Sequence, residues 1–357
     1  MASFAELDPH VNGLLQQGTV IPAHPLALQE NLQIDEERQR RLTRYYLSSG
    51  VGGVAVGVHT TQFEIRNPEI NLLETVLRIT ADELENAQLR RPFIKVAGIC
   101  GPTEQAIKEA KLARSYNYDL GLISLGGLQT LSEQQLITHV ESIAEFIPVF
   151  GFYLQPAVGG RILSYDFWYR LSQIPNLHAI KVAAFNRYQT LDVVRAVSFS
   201  ERRNSIAFYT GNDDNIVADL LTPYQFQSGS KLFEKKFVGG LLGHWAVWTK
   251  AAVSLFNEIK NVDPSDAEAL RELLATGVHI TDMNAAIFDV ANSFRGCIAG
   301  IHEVLRRQGL LEGTYCINPQ EKLSLGQTEE IDRICKSYPQ FTDDAFVKRF
   351  LANEKSS

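Results

Sequence analysis

Few side chains in this 357-residue sequence combine a reactive group with surroundings that would change its reactivity, and Lys181 is the foremost. It lies in Ala179-Ile180-Lys181-Val182-Ala183-Ala184-Phe185, an apolar run with no adjacent carboxylate. Burial in such a run disfavours the ammonium form. It yields a free amine, the nucleophile that adds to a carbonyl carbon to make a Schiff base. The same segment also fits a strand-end lysine that lays its methylenes on apolar surface and carries its charge to water. Three histidines, His24, His59 and His244, each stand near the end of a short apolar run. Imidazole titrates near neutral pH and serves as acid or base. With Asp213 the three could instead ligate a metal, although none shows His-x-His or His-x3-His spacing. Thr60, Thr61, Ser124, Tyr153, Gln155 and Asn212 are the other polar residues at such ends.

These residues need elements to position them. Apolar runs suited to strands fall at 20–23, 51–59, 93–99, 120–125, 149–154, 178–183, 206–210 and 237–242. Stretches with helical spacing follow them, opening near Ile34-Asp35 and continuing at 68–86, 102–116, 132–146, 164–173, 191–198, 213–221 and 244–259. Alternation of strand and helix implies a parallel sheet, and eight repeats with short connections favour a (β/α)8 TIM barrel over an open sheet. In that fold the working residues sit at the C-terminal ends of strands, where the candidates above lie. After residue 260 the strands stop, and 266–275, 281–308, 328–338 and 343–353 read as helices. The expected organisation is a barrel over 1–260 with a C-terminal helical extension over 261–357, packed as one folding unit. The polar loop 225–236 is expected to be the mobile segment.

Composition sets the class. Hydrophobic residues make up 45% and charged residues 21% of the chain, as in ordinary globular proteins. The net charge of −7 argues against nucleic acid or an anionic membrane as partner. Basic clusters such as Glu36-Glu37-Arg38-Gln39-Arg40-Arg41 read as a solvated helix face. The four cysteines have neither CxxC nor metal-ligand spacing, which fits free thiols in a reducing compartment. The start of the chain lacks the pattern of a secretory signal and no run is long enough to span a bilayer, so the expected location is cytoplasmic.

Several segments, taken in order, resemble the dihydrodipicolinate synthase/N-acetylneuraminate lyase family, and the likeness runs from Gly18 to about Ser324. Gly18-Thr19-Val20-Ile21-Pro22 resembles the family's first strand, and Gly50-Val51-Gly52-Gly53-Val54 leads to the twin threonines Thr60-Thr61. Tyr153-Leu154-Gln155-Pro156 resembles its Tyr-x-x-Pro, and Ile180-Lys181 its Schiff-base lysine, at a matching separation. Gly211-Asn212-Asp213 resembles the turn after strand seven, and 309–324 the closing segment. The resemblance implies an imine between Lys181 and pyruvate or another 2-oxo acid, with Tyr153 moving protons and Thr60 and Thr61 holding the carboxylate. Gln155, Asn212, Gly239 and His244 complete the implied substrate-binding set. It implies neither cofactor nor metal, and a homo-oligomer, dimer or tetramer.

Departures from the pattern matter as much. The family's Gly-Thr-Thr-Gly-Glu is here His59-Thr60-Thr61-Gln62-Phe63, and its tyrosine after strand four is replaced by Ser124-Leu125-Gly126-Gly127. The arginine after Tyr-x-x-Pro is also missing. These changes point away from the lysine-biosynthetic reaction and leave a lyase, aldolase or dehydratase acting on a 2-oxo acid. His59, beside the threonines, is the expected replacement acid or base. The rival readings are a metal-dependent barrel lyase or hydrolase using His24, His59 and His244, and a catalytically silent barrel that binds a 2-oxo acid.

Overall fold

A computed structural model describes residues 5–354. The strands are β1 (Val20–Pro22), β2 (Gly53–Val56), β3 (Ile94–Ile99), β4 (Leu120–Ile123), β5 (Val149–Leu154), β6 (Leu177–Ala183), β7 (Ala207–Thr210), β8 (Tyr224–Ser228), β9 (Lys231–Lys235) and β10 (Phe237–Leu242). Helices α1 (Pro9–Gln17), α2 (Glu36–Ser49), α3 (Leu73–Asn86), α4 (Thr103–Ser115), α5 (Glu133–Ala144), α6 (Tyr165–Leu171), α7 (Arg187–Ser198), α8 (Ile216–Leu221) and α9 (Thr249–Asn261) come between and after them. The chain then continues as α10 (Ala267–Ile287), α11 (Cys297–Arg307), α12 (Gln327–Ser337) and α13 (Asp344–Glu354). Eight strands form one sheet in the order β1-β10-β7-β6-β5-β4-β3-β2, and β1 meets β2 through the parallel bridge Ala23–Ala55. The fold is a (β/α)8 barrel with additional C-terminal helices. Among the described residues no helix is long and apolar enough to cross a membrane.

The chain groups into two compact units. The first takes the chain up to Thr19 together with Arg91–Leu241, and so holds β3 to β7, the β8–β9 pair and most of β10. The central strands are buried along almost their whole length, as strands covered on both faces must be. Helix α1, which the sequence pattern did not suggest, starts from Asp8, whose Oδ1 accepts the His10 and Val11 amides, with Pro9 at its first position. The Leu15 carbonyl of α1 accepts the Tyr209 hydroxyl at 3.0 Å. The expected mobile loop is instead an antiparallel hairpin, β8 against β9, in register from Tyr224–Lys235 to Ser228–Lys231. Phe226 and Phe233 pack on the Phe199 ring, and the Lys235 ammonium donates to the carbonyls of Arg203 and Ile206. Alternating aromatic and polar residues fit a strand pair with one covered face, which overrides the loop reading of its polar composition.

The second unit comprises Val20–Arg90 and the chain from Leu242 onward. Helix α2 opens as expected, at Asp35, whose carboxylate caps the Arg38 amide. The helix expected over 281–308 is broken. Asp289, Ser293 and Phe294 take left-handed backbone, with φ of 55°, 57° and 65°. The Asp289 carboxylate accepts from Asn292 Nδ2, the Gly296 amide and the Ser324 hydroxyl. Local side-chain bonds of this kind compete with helical ones, and they divide the stretch into α10 and α11.

Candidate functional site

Lys181 lies on β6, where all positions except His178 are buried. Cα pairing matches Phe152 of β5 to Lys181, Lys181 to Tyr209 of β7, and Tyr209 to Gly239 of β10. Paired residues of neighbouring strands face the same side, so these four form one row. The Lys181 Nζ stands 4.6 Å from the centre of the Phe152 ring, a cation–π contact. Phe150, on the same face of β5, meets Tyr209 edge-on at 5.3 Å. Only 9% of Lys181 is exposed. Burial pushes its pKa down to about 8, against the opposing pull of Asp213. Two glycines make the space. A Cβ on Gly211 would lie 2.5 Å from Lys181 Cε, and one on Gly239 would lie 2.7 Å from Tyr209 Cε1 and 2.5 Å from the Thr19 carbonyl oxygen. Gly239, expected to contact substrate, is therefore a packing position beneath the tyrosine ring.

Tyr153 requires a correction. It pairs with Val182, not Lys181, and adjacent residues on a strand face opposite sides. Its ring packs on Trp168 of α6 at 5.0 Å. Its hydroxyl lies toward the Leu163 backbone without closing a well-formed hydrogen bond. Burial raises its pKa, and the charges that act on it, Asp192 and Glu133, belong to α7 and α5. The expected proton shuttle thus faces the helix layer. A register shift between Val149 and Phe150 is the cause, because one extra residue in a strand turns every later side chain over. The aromatic neighbour of Lys181 is Phe152, which has no hydroxyl.

Asn212 is also used by the scaffold. Its Oδ1 accepts the Phe185 amide at 3.0 Å, and its Nδ2 donates to Asp219 Oδ2 at 2.9 Å and to Thr190 at 3.4 Å. Asp219 is fully buried and also accepts from Thr210, Arg187, Asn215 and Tyr224. This network fixes the turn that follows β7, and it leaves Asn212 no spare side-chain group for the substrate contact expected of it. The Gln155 carbonyl accepts the amides of Val158 and Gly160, closing the loop after β5, while its side chain is buried. Asp213, next in the turn, is buried and is the charge that acts on Lys181.

In the second unit, the loop after β2 forms a short turn, His59–Thr61. Thr61 Oγ1 donates to the His24 carbonyl at 2.7 Å and accepts the amides of Gly57 and Val58. Thr60 Oγ1 donates to the same carbonyl at a longer 3.3 Å. Both hydroxyl protons are thus directed at His24, and a substrate carboxylate would have to displace them. Half-buried His59 leans on the Phe63 ring, 5.9 Å away. Gln62 occupies a left-handed conformation, φ 68°, where the family pattern has glycine. Its Oε1 accepts the Ile317 amide at 2.6 Å, which offsets the strain.

The other two histidines are structural. His24 is buried with Nδ1 against the Pro25 carbonyl and Gln39 and Nε2 against Thr43, and burial lowers its pKa to about 4. His244 is buried near Asn284, and burial likewise lowers its pKa to about 4. Among the described residues no three His, Cys, Asp or Glu side chains gather as metal ligands. His244 is also withdrawn from the expected substrate-binding set, because burial keeps its ring neutral and away from solvent.

Three residues of consequence carried no assigned role in the sequence, Phe152, Gly211 and Asp219, and Asp213 was named there only as a possible metal ligand. Asp213 was visible as a carboxylate in the turn after β7. Phe152 was hidden by the bulge, and Asp219, inside α8, looks in sequence like an ordinary surface acid.

Comparison with known proteins agrees with this architecture. Residues 16–225 match the model of the dihydrodipicolinate synthetase family. N-acetylneuraminate lyase 2 of Escherichia coli O6:H1 is 23% identical over 303 residues, 84% of this chain and 87% of the relative. A 4-hydroxy-tetrahydrodipicolinate synthase of Thiobacillus denitrificans is 27% identical over 183 residues, covering 51% of this chain and 58% of its own. Among solved structures, dihydrodipicolinate synthase from Oceanobacillus iheyensis superposes with a TM-score of 0.71 at 18% identity, covering 92% of this chain and 99% of the other. N-acetylneuraminate lyase from Fusobacterium nucleatum complexed with pyruvate gives 0.68 at 18%, covering 91% and 98%. With more than half of its length matched to the family model, this chain belongs to the dihydrodipicolinate synthetase family.

Proposed function

We propose that this chain is a Schiff-base-forming lyase or aldolase that condenses Lys181 with pyruvate or another 2-oxo acid. The observation that carries the reading is a lysine on the inner row of β6, buried between Phe152 and Gly211 and lowered to about 8. Near neutral pH roughly a tenth of such an amine is unprotonated, far more than of a solvated lysine. The imine then serves as an electron sink for breaking or making the adjacent C–C bond. Reduction with borohydride in the presence of a panel of 2-oxo acids tests this reading. A mass increase on Lys181 that vanishes in Lys181→Ala supports it, and a panel that traps nothing rejects it.

The lysine-biosynthetic reaction itself is not proposed. Ser124 stands where that reaction's tyrosine is expected, and its Oγ accepts the Gly126 amide within its own turn. Pyruvate offered with aspartate semialdehyde should therefore not turn over. A homo-oligomer in the cytoplasm is the proposed working form. Light scattering tests the assembly, and a monomeric dihydrodipicolinate synthase variant among the structural neighbours makes that measurement informative.

A further inference from the structure

A Schiff-base site needs a group to take the ammonium proton and later to protonate the departing hydroxyl. The tyrosine expected for this work faces the helix layer. The aromatic residue that does lie against Lys181, Phe152, carries no proton. Tyr209 shares the lysine's row, but its hydroxyl is committed to the Leu15 carbonyl and burial holds its ionisation far above the physiological range. Asp214 is raised by burial and feels the charge of Arg187, and it is not among the charges that act on Lys181. Asp213 remains. The lysine's Cε runs against Gly211, and Asp213 follows in the same turn, its amide bonded to the Gly211 carbonyl at 3.1 Å. The turn is rigid because Asn212 is tied to Thr210 through its amide, to Phe185 through its Oδ1 and to Asp219 through its Nδ2. Asp213 itself is 8% exposed.

We propose that Asp213 is the proton shuttle of the Lys181 imine, in place of a tyrosine hydroxyl. The idea rests on the imine reading above and deepens it. The Asp213 carboxylate takes a proton from the ammonium, and the freed Nζ attacks C2 of the oxo acid. A C–N bond forms while the C=O pair moves to oxygen. Transfer of one of the two nitrogen protons to that oxygen gives the neutral carbinolamine. Asp213 then returns its proton to the hydroxyl, the C–O bond breaks and water leaves. The nitrogen lone pair completes the protonated imine, and the carboxylate is regenerated. One ammonium and one carbonyl have become one iminium and one water.

The role separates from simple electrostatics by sign. Asp213 favours the ammonium, so removing its charge lowers the lysine pKa further. Were that its whole contribution, Asp213→Asn would form the imine at pH 7 as fast as wild type, or up to about tenfold faster, since the neutral fraction can rise only from about a tenth to one. As the shuttle, its loss slows imine formation by ~10²-fold, the usual weight of a positioned acid–base group. Rapid mixing with pyruvate, followed by timed borohydride quenching and mass spectrometry of intact protein, measures this directly. Asp213→Glu, which keeps the carboxylate, should recover part of the lost rate, so a general fold defect in Asp213→Asn is distinguished from loss of the group. Imine formation in Asp213→Asn at or above the wild-type rate overturns the proposal and leaves the Lys181 reading standing. A slow Asp213→Asn with an equally slow Asp213→Glu and lowered thermal stability in both also overturns it. Wild-type protein that traps no 2-oxo acid overturns both.

Discussion

The surroundings of Lys181 and those of the loop after β2 differ in how they treat buried polar groups. In the first, the lysine amine rests on an aromatic face and an acid follows in a fixed turn, with glycine where a larger residue would fill the space. In the second, the polar atoms hold the backbone. Thr61 makes three bonds to main chain, and both nitrogens of His24 have protein partners. A buried polar group satisfied by the fold is a stabilising element, whereas one held in an apolar cradle with a shifted ionisation is poised for chemistry. The histidines drew attention in the sequence because imidazole is versatile. Their environment makes two of them neutral fixtures.

Removing the amine should have the largest effect. Lys181→Ala should abolish borohydride trapping and turnover altogether while leaving the fold intact, because a shortened side chain removes a costly buried amine. Residual trapping on another lysine would move the chemistry elsewhere and erase the contrast between the two regions. Next comes the space beside it. In Gly211→Ala the new Cβ meets Lys181 Cε at 2.5 Å, so the lysine or the turn must shift. A fall of tenfold or more in kcat is expected, with a stability loss of about 1–3 kcal/mol typical of overpacking. An unchanged kcat would show that the cradle is not tight.

The histidines should announce themselves through stability. His24, His244 and His302 each have a pKa lowered to about 4 by burial. The unfolded chain therefore binds protons first as pH falls, and each histidine's contribution is complete above the unfolded value of ~6.5 and lost as pH falls through the folded value near 4. Each accounts for up to about 3 kcal/mol on this basis. Urea denaturation between pH 7 and pH 4.5 should show a steep loss of stability. His24→Asn should be less stable at pH 7 yet show a shallower decline. An equally steep decline would mean that His24 is not held neutral.

Much of this organisation was legible because hydrophobic periodicity reports burial. The eight barrel strands and the order of their helices followed from it, and β5 and β10 were located to the residue. Lys181 stood out for the same reason, as a charge in an apolar run. What the sequence hid depends on one-residue geometry or distant partners. The shift between Val149 and Phe150 leaves no mark in composition, yet it exchanges Phe152 for Tyr153 at the lysine. The break between α10 and α11 depends on Ser324 reaching Asp289 from far along the chain. Asn212 looked available until its partner Asp219 was in place.

The smallest expected effect breaks the comparison most sharply if it fails. Tyr153 has the residue type and spacing of a proton shuttle, but its ring lies on Trp168 and its neighbouring charges belong to the helix layer. Tyr153→Phe should therefore leave kcat within about threefold of wild type, against the ~10²-fold expected of a positioned acid–base group. Stability should stay level or rise by about 1 kcal/mol, because a buried hydroxyl without a well-formed hydrogen bond costs more than it returns. Steady-state kinetics and thermal melting of the one variant decide both points. A hundredfold loss of kcat with unchanged trapping at Lys181 would mean that the working enzyme pairs β5 and β6 without the shift, turning Tyr153 inward and Phe152 out. The proton chemistry would then return to the tyrosine, and Phe152 would be the packing residue.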